Sequence, residues 1–131
     1  MKNIVMIPLS KLKNHESVSK ERLEVVFNKI KSDGIFNKPV VVEKRELIIL
    51  DGHHRVAALK KMGAKIIPVY LVDYRNPDIR IYLRRKDIPS ELIKESVLRA
   101  VLLGKVFPYK TTRHYFSNRP KRIKVNLKEL F

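Results

Sequence analysis

The chain has 131 residues, 44% of them hydrophobic, and this length favours one domain, residues 1–131, with a single core. Its 29 Lys and Arg residues outnumber 13 Asp and Glu residues, and the net charge of +16 favours polyanionic partners such as nucleotides or nucleic acids. The absence of cysteine excludes disulfides and thiolate catalysis, and no apolar run reaches the ~18 residues of a membrane span.

The first third of the chain is expected to form a strand and then a helix. The strand is expected to end at Pro8, and Ser19 is a typical N-cap for the helix. Gly34 marks the end of the helix. The apolar residues between these two positions recur at the spacing of one helical face, and they are Leu23, Val26, Phe27 and Ile30.

The middle of the chain contains three aliphatic runs. Residues 38–44 and 46–50 are separated by a charged turn, which predicts a β-hairpin. A helix of two turns is expected over residues 55–62. Residues 65–74 predict another strand, and Pro68 indicates that this strand lies at a sheet edge or carries a bulge.

The last third predicts a helix and a final strand. Ser90 is expected to cap a helix that runs to Leu103, and residues 122–127 are expected to form the strand. Strands and helices are therefore mixed, and the predicted class is α/β (α+β). The N-terminal segment has only a short apolar patch and no cleavage signature, so we expect no signal peptide, no membrane association and a cytoplasmic location.

The most informative segment is the predicted strand-to-helix junction, LIILDGHHRVAALKKMG, at residues 47–63. The first amides of a helix lack internal partners and lie at the positive end of the helix dipole, so that phosphate binds there readily. A glycine permits a tight turn and close approach of a ligand, and histidine and arginine add donors. We therefore expect four junction residues to bind phosphate: Gly52, His53, His54 and Arg55.

Asp51 lies at the same junction, where its charge would repel phosphate. A carboxylate at this place is explained if it binds Mg²⁺ or accepts a proton from an attacking hydroxyl. The simpler alternative is that Asp51 caps a turn and that the histidines are surface residues. The four histidines of the chain lack the paired spacing of a zinc site, which favours Mg²⁺ carried in by a nucleotide.

Residues 49–63 resemble the signature of the ParB/sulfiredoxin superfamily, whose phosphate-binding box lies at a helix N-terminus. The resemblance implies a compact mixed sheet with flanking helices. Sulfiredoxins need a catalytic cysteine, which this chain lacks. Chromosome-partitioning proteins have a Gly-Glu-Arg-Arg type of box followed by a helix-turn-helix domain. The archaeal free L-serine kinases and their bacterial siderophore-pathway relatives have Asp-Gly-His-His-Arg, which is identical to residues 51–55.

Two further segments resemble the same kinases. LKNHESV, residues 12–18, is similar to an early element whose glutamate acts as the base, which implies this role for Glu16, with His15 beside it. FPYKTTRH, residues 107–114, is similar to a late element that holds the amino acid substrate. The residues that this second match implies are Lys110, Thr111, Thr112, Arg113 and His114.

The resemblance implies a kinase that transfers a phosphoryl group from ATP or ADP, with Mg²⁺, to free L-serine and forms O-phospho-L-serine. Glu16 is favoured as the base, and Asp51 as the partner of the metal or the hydroxyl. The kinases are longer than this chain, and a tryptophan wall in a relative would be replaced here by Phe36 or Tyr74, because the chain has no tryptophan.

The alternative function is a nucleotide-dependent DNA-binding module of the chromosome-partitioning type. The hydroxyl and basic groups of residues 110–114 would also suit DNA phosphates. The box of residues 51–55 and the lack of a recognisable helix-turn-helix after it favour the kinase, so nucleic acid is a possible but not a preferred partner.

Overall fold

The computed structural model describes residues 4–83, 90–105, 107, 112–116 and 119–131. The helices are α1 (Lys20–Asp33), α2 (His53–Met62) and α3 (Ser90–Leu102), with short 3₁₀ helices at Leu9–Lys11 and Leu127–Leu130. The strands are β1 (Ile4–Pro8), β2 (Ile35–Phe36), β3 (Val40–Glu43), β4 (Ile48–Asp51), β5 (Ile66–Val72), β6 (Arg80–Leu83), β7 (Thr112–Tyr115) and β8 (Val125–Asn126). No helix in these ranges combines the length and the apolar character that a membrane crossing requires.

The central sheet has the strand order β1-β5-β3-β4. β3 and β4 form an antiparallel hairpin, β3 and β5 are parallel, and β5 and β1 are antiparallel. Two smaller antiparallel pairs, β2 with β8 and β6 with β7, complete the described strands. The predicted hairpin and the predicted mixture of strands and helices in one mixed sheet are confirmed.

β5 lies inside the sheet, between β1 and β3, so the prediction that Pro68 puts this strand at an edge or a bulge is wrong. Pro68 faces Met6 in a regular antiparallel register with β1. The parallel ladder with β3 begins one residue later, where Val69 faces Val40. The proline is tolerated because it precedes the parallel ladder and interrupts none of its pairs.

α1 begins and ends where the sequence predicts. The Ser19 hydroxyl accepts a hydrogen bond from the Arg22 amide at 3.3 Å, and Gly34 takes the left-handed conformation that ends the helix. α3 ends at Leu102, one residue earlier than expected, and the predicted last strand is shorter, because only Val125–Asn126 pairs with β2.

α2 begins at His53, two residues before the predicted start. Gly52 is its N-cap residue, with φ of 103°, so both histidines belong to the first turn of the helix. Gly63 ends the helix with φ of 87°. The early start matters because it puts the histidine side chains, as well as the backbone amides, at the positive end of α2.

The core lies on both sides of the central sheet, because successive residues of β3 point to opposite faces. Val40 and Val42 pack with the side chains of α1 and α2, such as Ile30 and Leu59. Val41 packs on the other face with residues of β6, α3 and the segment after β7, which include Ile81, Ile93, Val97 and Phe116. The sheet is therefore covered on both faces. The junction between β4 and α2 lies at the end of the edge strand β4.

Candidate functional site

A cavity of about 620 Å³ opens where β4 passes into α2. Its walls come from α1, from the segment between β2 and β3, from the β4–α2 junction and from β7. We call it the junction cavity. The predicted site residues that line it are Glu16, Asp51, Gly52, His53, His54, Arg55, Thr112 and His114.

The backbone at Gly52 accepts no other residue without displacement. Its φ of 103° is a conformation that L-residues rarely adopt. A Cβ at this position would lie 2.8 Å from a guanidinium nitrogen of Arg55 and 2.8 Å from Cγ2 of Val40. The glycine therefore keeps the Arg55 side chain against the start of α2.

The two adjacent histidines brace two different segments. Nε2 of His53 accepts a hydrogen bond from the His15 amide at 3.3 Å, and Nε2 of His54 accepts one from the Ser19 amide at 3.0 Å. Burial, followed by the nearby His15, lowers the pKa of His53 to about 3, so this ring is neutral at neutral pH. Since Nε2 of His53 is an acceptor, the single ring proton of His53 lies on Nδ1, where it is a hydrogen-bond donor.

Asp51 is held by two arginines. Its Oδ2 accepts hydrogen bonds from Arg119 at 2.6 Å and from Arg55 at 3.4 Å. Burial alone would raise the pKa of Asp51, but the two guanidinium groups outweigh it and hold the pKa below its usual value. Asp51 is therefore an ionised carboxylate. The two positive charges of Arg55 and Arg119 exceed its single negative charge, so the group has a net positive charge.

Lys38 adds a third cation to the wall of the cavity. The pKa of Lys38 is lowered, first by the charge of Arg55 and then by burial, which is the effect expected when cations crowd one place. Such crowding is tolerated where an anion binds. Sequence reasoning missed Lys38 and Arg119, and no motif marks either of them.

Glu16 lies on the wall formed with β7. Its Oε2 accepts hydrogen bonds from the backbone amide of Thr112, at 2.8 Å, and from the Thr112 hydroxyl, at 2.5 Å. Burial raises the pKa of Glu16, but the nearby His15 and the hydrogen bonds from Thr112 outweigh it and lower the pKa to about 2. The Glu16 side chain, on a residue only 8% exposed, is thus ionised at neutral pH.

His114 lies in the wall of the cavity, between two aromatic rings. It stacks with Tyr74 and with Phe116, each at a centroid distance of 5.7 Å. Its Nε2 is hydrogen-bonded to the Tyr74 hydroxyl, while its buried Nδ1 has no partner among the residues that the structure describes. Burial lowers the pKa of His114, so the ring is neutral. A buried polar atom without a hydrogen-bond partner destabilises the fold, unless a bound ligand supplies that partner.

Of the remaining predicted residues, some do not line the cavity and others lie outside the described residues. Lys110 and Thr111 lie outside the described residues, and the backbone of Arg113 pairs with Tyr82 between β7 and β6. Phe36 is buried in the core and does not line the cavity, so it cannot form the wall expected of it. Tyr74 does not line the cavity either and contacts His114, which does.

Comparison with curated proteins finds L-serine kinases. The chain is 39% identical over 82 residues to the ADP-dependent L-serine kinase SerK of Thermococcus kodakarensis. It is 33% identical over 81 residues to an ATP-dependent L-serine kinase of Staphylothermus marinus. The aligned segments cover 60% and 59% of this chain but 34% and 32% of the relatives, so the match spans about a third of their length.

A solved structure and a family match agree with the architecture. A free serine kinase in complex with AMP superposes with a TM-score of 0.86 at 24% identity, over 98% of this chain and 94% of the other, which shows a shared fold. Residues 1–85, well over half of the chain, match the ParB N-terminal domain. The chain therefore belongs to the ParB N-terminal domain family.

Proposed function

We propose that this protein is a small-molecule kinase that transfers a phosphoryl group from ATP or ADP to the hydroxyl of free L-serine, giving O-phospho-L-serine. One observation carries the proposal: the positive N-terminus of α2 and the ionised carboxylate of Glu16 line the same cavity. The names of the curated relatives support this substrate pair, and they include both ADP and ATP as donors. We place the reaction in the cytoplasm, where nucleotides and free amino acids are available.

The donor phosphates would bind at the start of α2. The first turn of an α-helix presents backbone amides that the helix itself does not use, and the helix dipole adds positive potential at the start of α2, directly after Gly52. Arg55, Arg119 and Lys38 surround this point, and arginine binds phosphate oxygens in pairs. These groups would offset the charge that builds on the phosphoryl oxygens during transfer.

The nucleoside would lie along α1. Val25, Val26 and Ile30 give the cavity an apolar wall on this side, which suits a flat base. The N-terminus of α2 and this wall are parts of one space of about 620 Å³, large enough for a nucleotide with a small acceptor beside it.

The acceptor serine would bind on the Glu16 side. As its oxygen bonds to phosphorus and the bond to the leaving nucleotide breaks, the hydroxyl proton passes to Glu16. With Tyr74 donating to Nε2 of His114, the ring proton lies on Nδ1, a donor without a partner among the described residues that suits the serine carboxylate. From the resemblance we add Lys110, Thr111, Thr112 and Arg113 to the substrate-binding residues.

Magnesium enters the proposal as an ion that accompanies the nucleotide. Asp51 fits it as a ligand, because its carboxylate is ionised and lines the cavity, and Mg²⁺ commonly takes one or two carboxylates together with phosphate oxygens. When bound, the ion would supply charge neutralisation for the phosphates. Arg55 and Arg119 compete for the same carboxylate, so we expect weak magnesium binding without nucleotide.

A nucleotide-dependent DNA-binding module is the second candidate, favoured by the ParB N-terminal family and the net charge of +16. We place it second because a buried, ionised Glu16 in the cavity repels nucleic acid phosphates but has a direct use in a kinase. The two functions differ in salt dependence, since DNA affinity falls steeply as salt rises.

The deciding experiment is to incubate the chain with labelled ATP or ADP, Mg²⁺ and a panel of free amino acids. We expect phosphorylated serine, and a loss of about 10²- to 10⁴-fold in kcat for Glu16→Gln. The control is Glu24→Gln, which changes an exposed glutamate of α1 that does not line the cavity, and it should keep the wild-type rate. No phosphorylated product, together with salt-sensitive DNA binding, would replace the first function by the second.

A further inference from the structure

The buried contacts among His15, Thr112 and Glu16 fix how many protons these groups share. Nδ1 of His15 lies 2.7 Å from the carbonyl oxygen of Ile49, which can only accept, so Nδ1 carries a proton. Nε2 of His15 lies 2.8 Å from Oγ1 of Thr112, and the same oxygen lies 2.5 Å from Oε2 of Glu16. All three residues are buried, His15 completely, while Glu16 and Thr112 keep access to the junction cavity.

Thr112 has one hydroxyl proton for two contacts. If that proton points to Glu16, the contact with His15 needs a proton on Nε2. If it points to His15, the contact with Glu16 needs a proton on the carboxylate. Without one of these protons, two lone pairs would face each other at hydrogen-bond distance. The group therefore holds one proton more than a neutral histidine and an ionised glutamate would supply.

The backbone decides where the extra proton lies. Oε2 of Glu16 also accepts the amide of Thr112 at 2.8 Å, so this oxygen receives two donors, as a carboxylate oxygen does. Nε2 of His15 is 3.6 Å from the same oxygen, close enough for an imidazolium and a carboxylate to stabilise each other in a buried place.

We propose that His15 is an imidazolium that holds Glu16 ionised and in a fixed orientation through the hydroxyl of Thr112. The inference deepens the proposed kinase function and rests on it for its catalytic meaning. His15 has no exposed surface, so it is a positioning residue that acts through Thr112 and Glu16 and does not contact the substrate.

The described surroundings of His15 leave Glu16 as its contacting anion. The rings of His53 and His114 approach to centroid distances of 4.7 and 5.5 Å, from α2 and β7, and burial keeps both neutral. The ring of Phe107 lies 6.3 Å away and is apolar. Two neutral rings beside it leave the positive charge of His15 to be balanced by Glu16, which lies within ion-pair distance.

This arrangement has a consequence for the reaction. The serine O–H bond breaks as the O–P bond forms and the P–O bond to the nucleotide breaks, and the proton moves to Glu16. His15 already has both of its ring protons and therefore cannot take this one. A protonated Glu16 beside an imidazolium is a strong acid, so it returns its proton to solvent and the site is reset for the next turnover.

The direct test is nitrogen NMR of the histidine rings in the intact chain at neutral pH, each ring assigned through its neighbours. We expect His15 to be doubly protonated, whereas His53 carries one proton, on Nδ1. In Glu16→Gln the new side-chain amide can donate to Thr112, so His15 should become singly protonated. A singly protonated His15 in the wild-type chain would overturn the inference.

A kinetic test uses a matched pair at Thr112. Thr112→Val removes the hydroxyl at nearly constant volume, and we expect kcat to fall at least about tenfold and the acid limb of the kcat/KM profile to move to higher pH. Thr112→Ser keeps the hydroxyl and should recover most of kcat and the original limb. KM for the nucleotide should stay the same in both. An unmoved acid limb in the valine variant would contradict the inference.

The outcomes separate the two proposals. If the wild-type chain phosphorylates no serine, the proposed function fails, and the NMR experiment still decides the protonation of His15. If serine is phosphorylated but His15 is singly protonated, the function stands and the role of His15 is wrong.

Discussion

Replacing Gly52 by alanine tests whether the start of α2 is built around a missing side chain. The φ of 103° costs a non-glycine residue about 1–2 kcal/mol. The new Cβ would also lie 2.8 Å from Arg55 and from Val40, and overpacking of this kind typically costs about 1–3 kcal/mol. The expected loss is therefore about 2–5 kcal/mol, a large part of the roughly 5–15 kcal/mol that stabilises a domain.

Gly63→Ala is the matched control, at the other end of the same helix. Its φ of 87° is also left-handed, but an added Cβ there would meet nothing within 4 Å among the described residues. It should therefore lose only the conformational part, about 1–2 kcal/mol.

The assay is urea unfolding of both variants, followed by nucleotide titration of the folded proteins. Gly52→Ala should be the less stable variant and should bind nucleotide more weakly, because its Cβ displaces Arg55 and blocks the approach to the amides of α2. Gly63→Ala should bind nucleotide as the wild type does. Equal stability and equal nucleotide affinity of the two variants would refute this explanation of Gly52.

Three further predictions concern charge, pH and bracing. Arg119→Met removes the donor that lies 2.6 Å from Asp51 and should weaken nucleotide binding about 10- to 100-fold by calorimetry, whereas Arg122→Met, at an exposed position, should change it little. The folded pKa of Glu16, about 2, is below its ordinary value of 4.5, so Glu16 stabilises the fold by about 3 kcal/mol above pH 4.5, and this is lost as pH falls toward 2. Urea unfolding across this window should show a smaller pH dependence in Glu16→Gln, and an equal dependence would contradict the assignment. His54→Ala leaves the Ser19 amide without its acceptor and should cost about 1 kcal/mol, with faster hydrogen exchange at that amide; unchanged exchange would remove the bracing role.

Local sequence signals predicted the elements that local physics controls. Ser19 and Gly34 bound α1 because a cap side chain and a left-handed glycine act within a few residues. The hairpin of β3 and β4 follows from two aliphatic runs around a charged turn. The strand-to-helix junction was predicted at the right place, although α2 begins two residues earlier than expected.

Long-range pairing is what the sequence does not reveal. The order of strands puts β5 inside the sheet, and only the register with β3 shows why Pro68 does no harm there. Arg119 meets Asp51 across 68 positions of the chain, and no pattern in the sequence links the two. The hydrogen bonds of the two histidines also join segments that are distant in sequence. His53 accepts one from the His15 amide, and His54 accepts one from the Ser19 amide.

The most direct measurement of the central claim is a crystal structure of the chain with ADP and L-serine. The account predicts phosphate oxygens against the first amides of α2 and near Arg55 and Arg119, with the serine hydroxyl within hydrogen-bond distance of Glu16. A nucleotide bound outside the junction cavity, or a serine that does not reach Glu16, would contradict it.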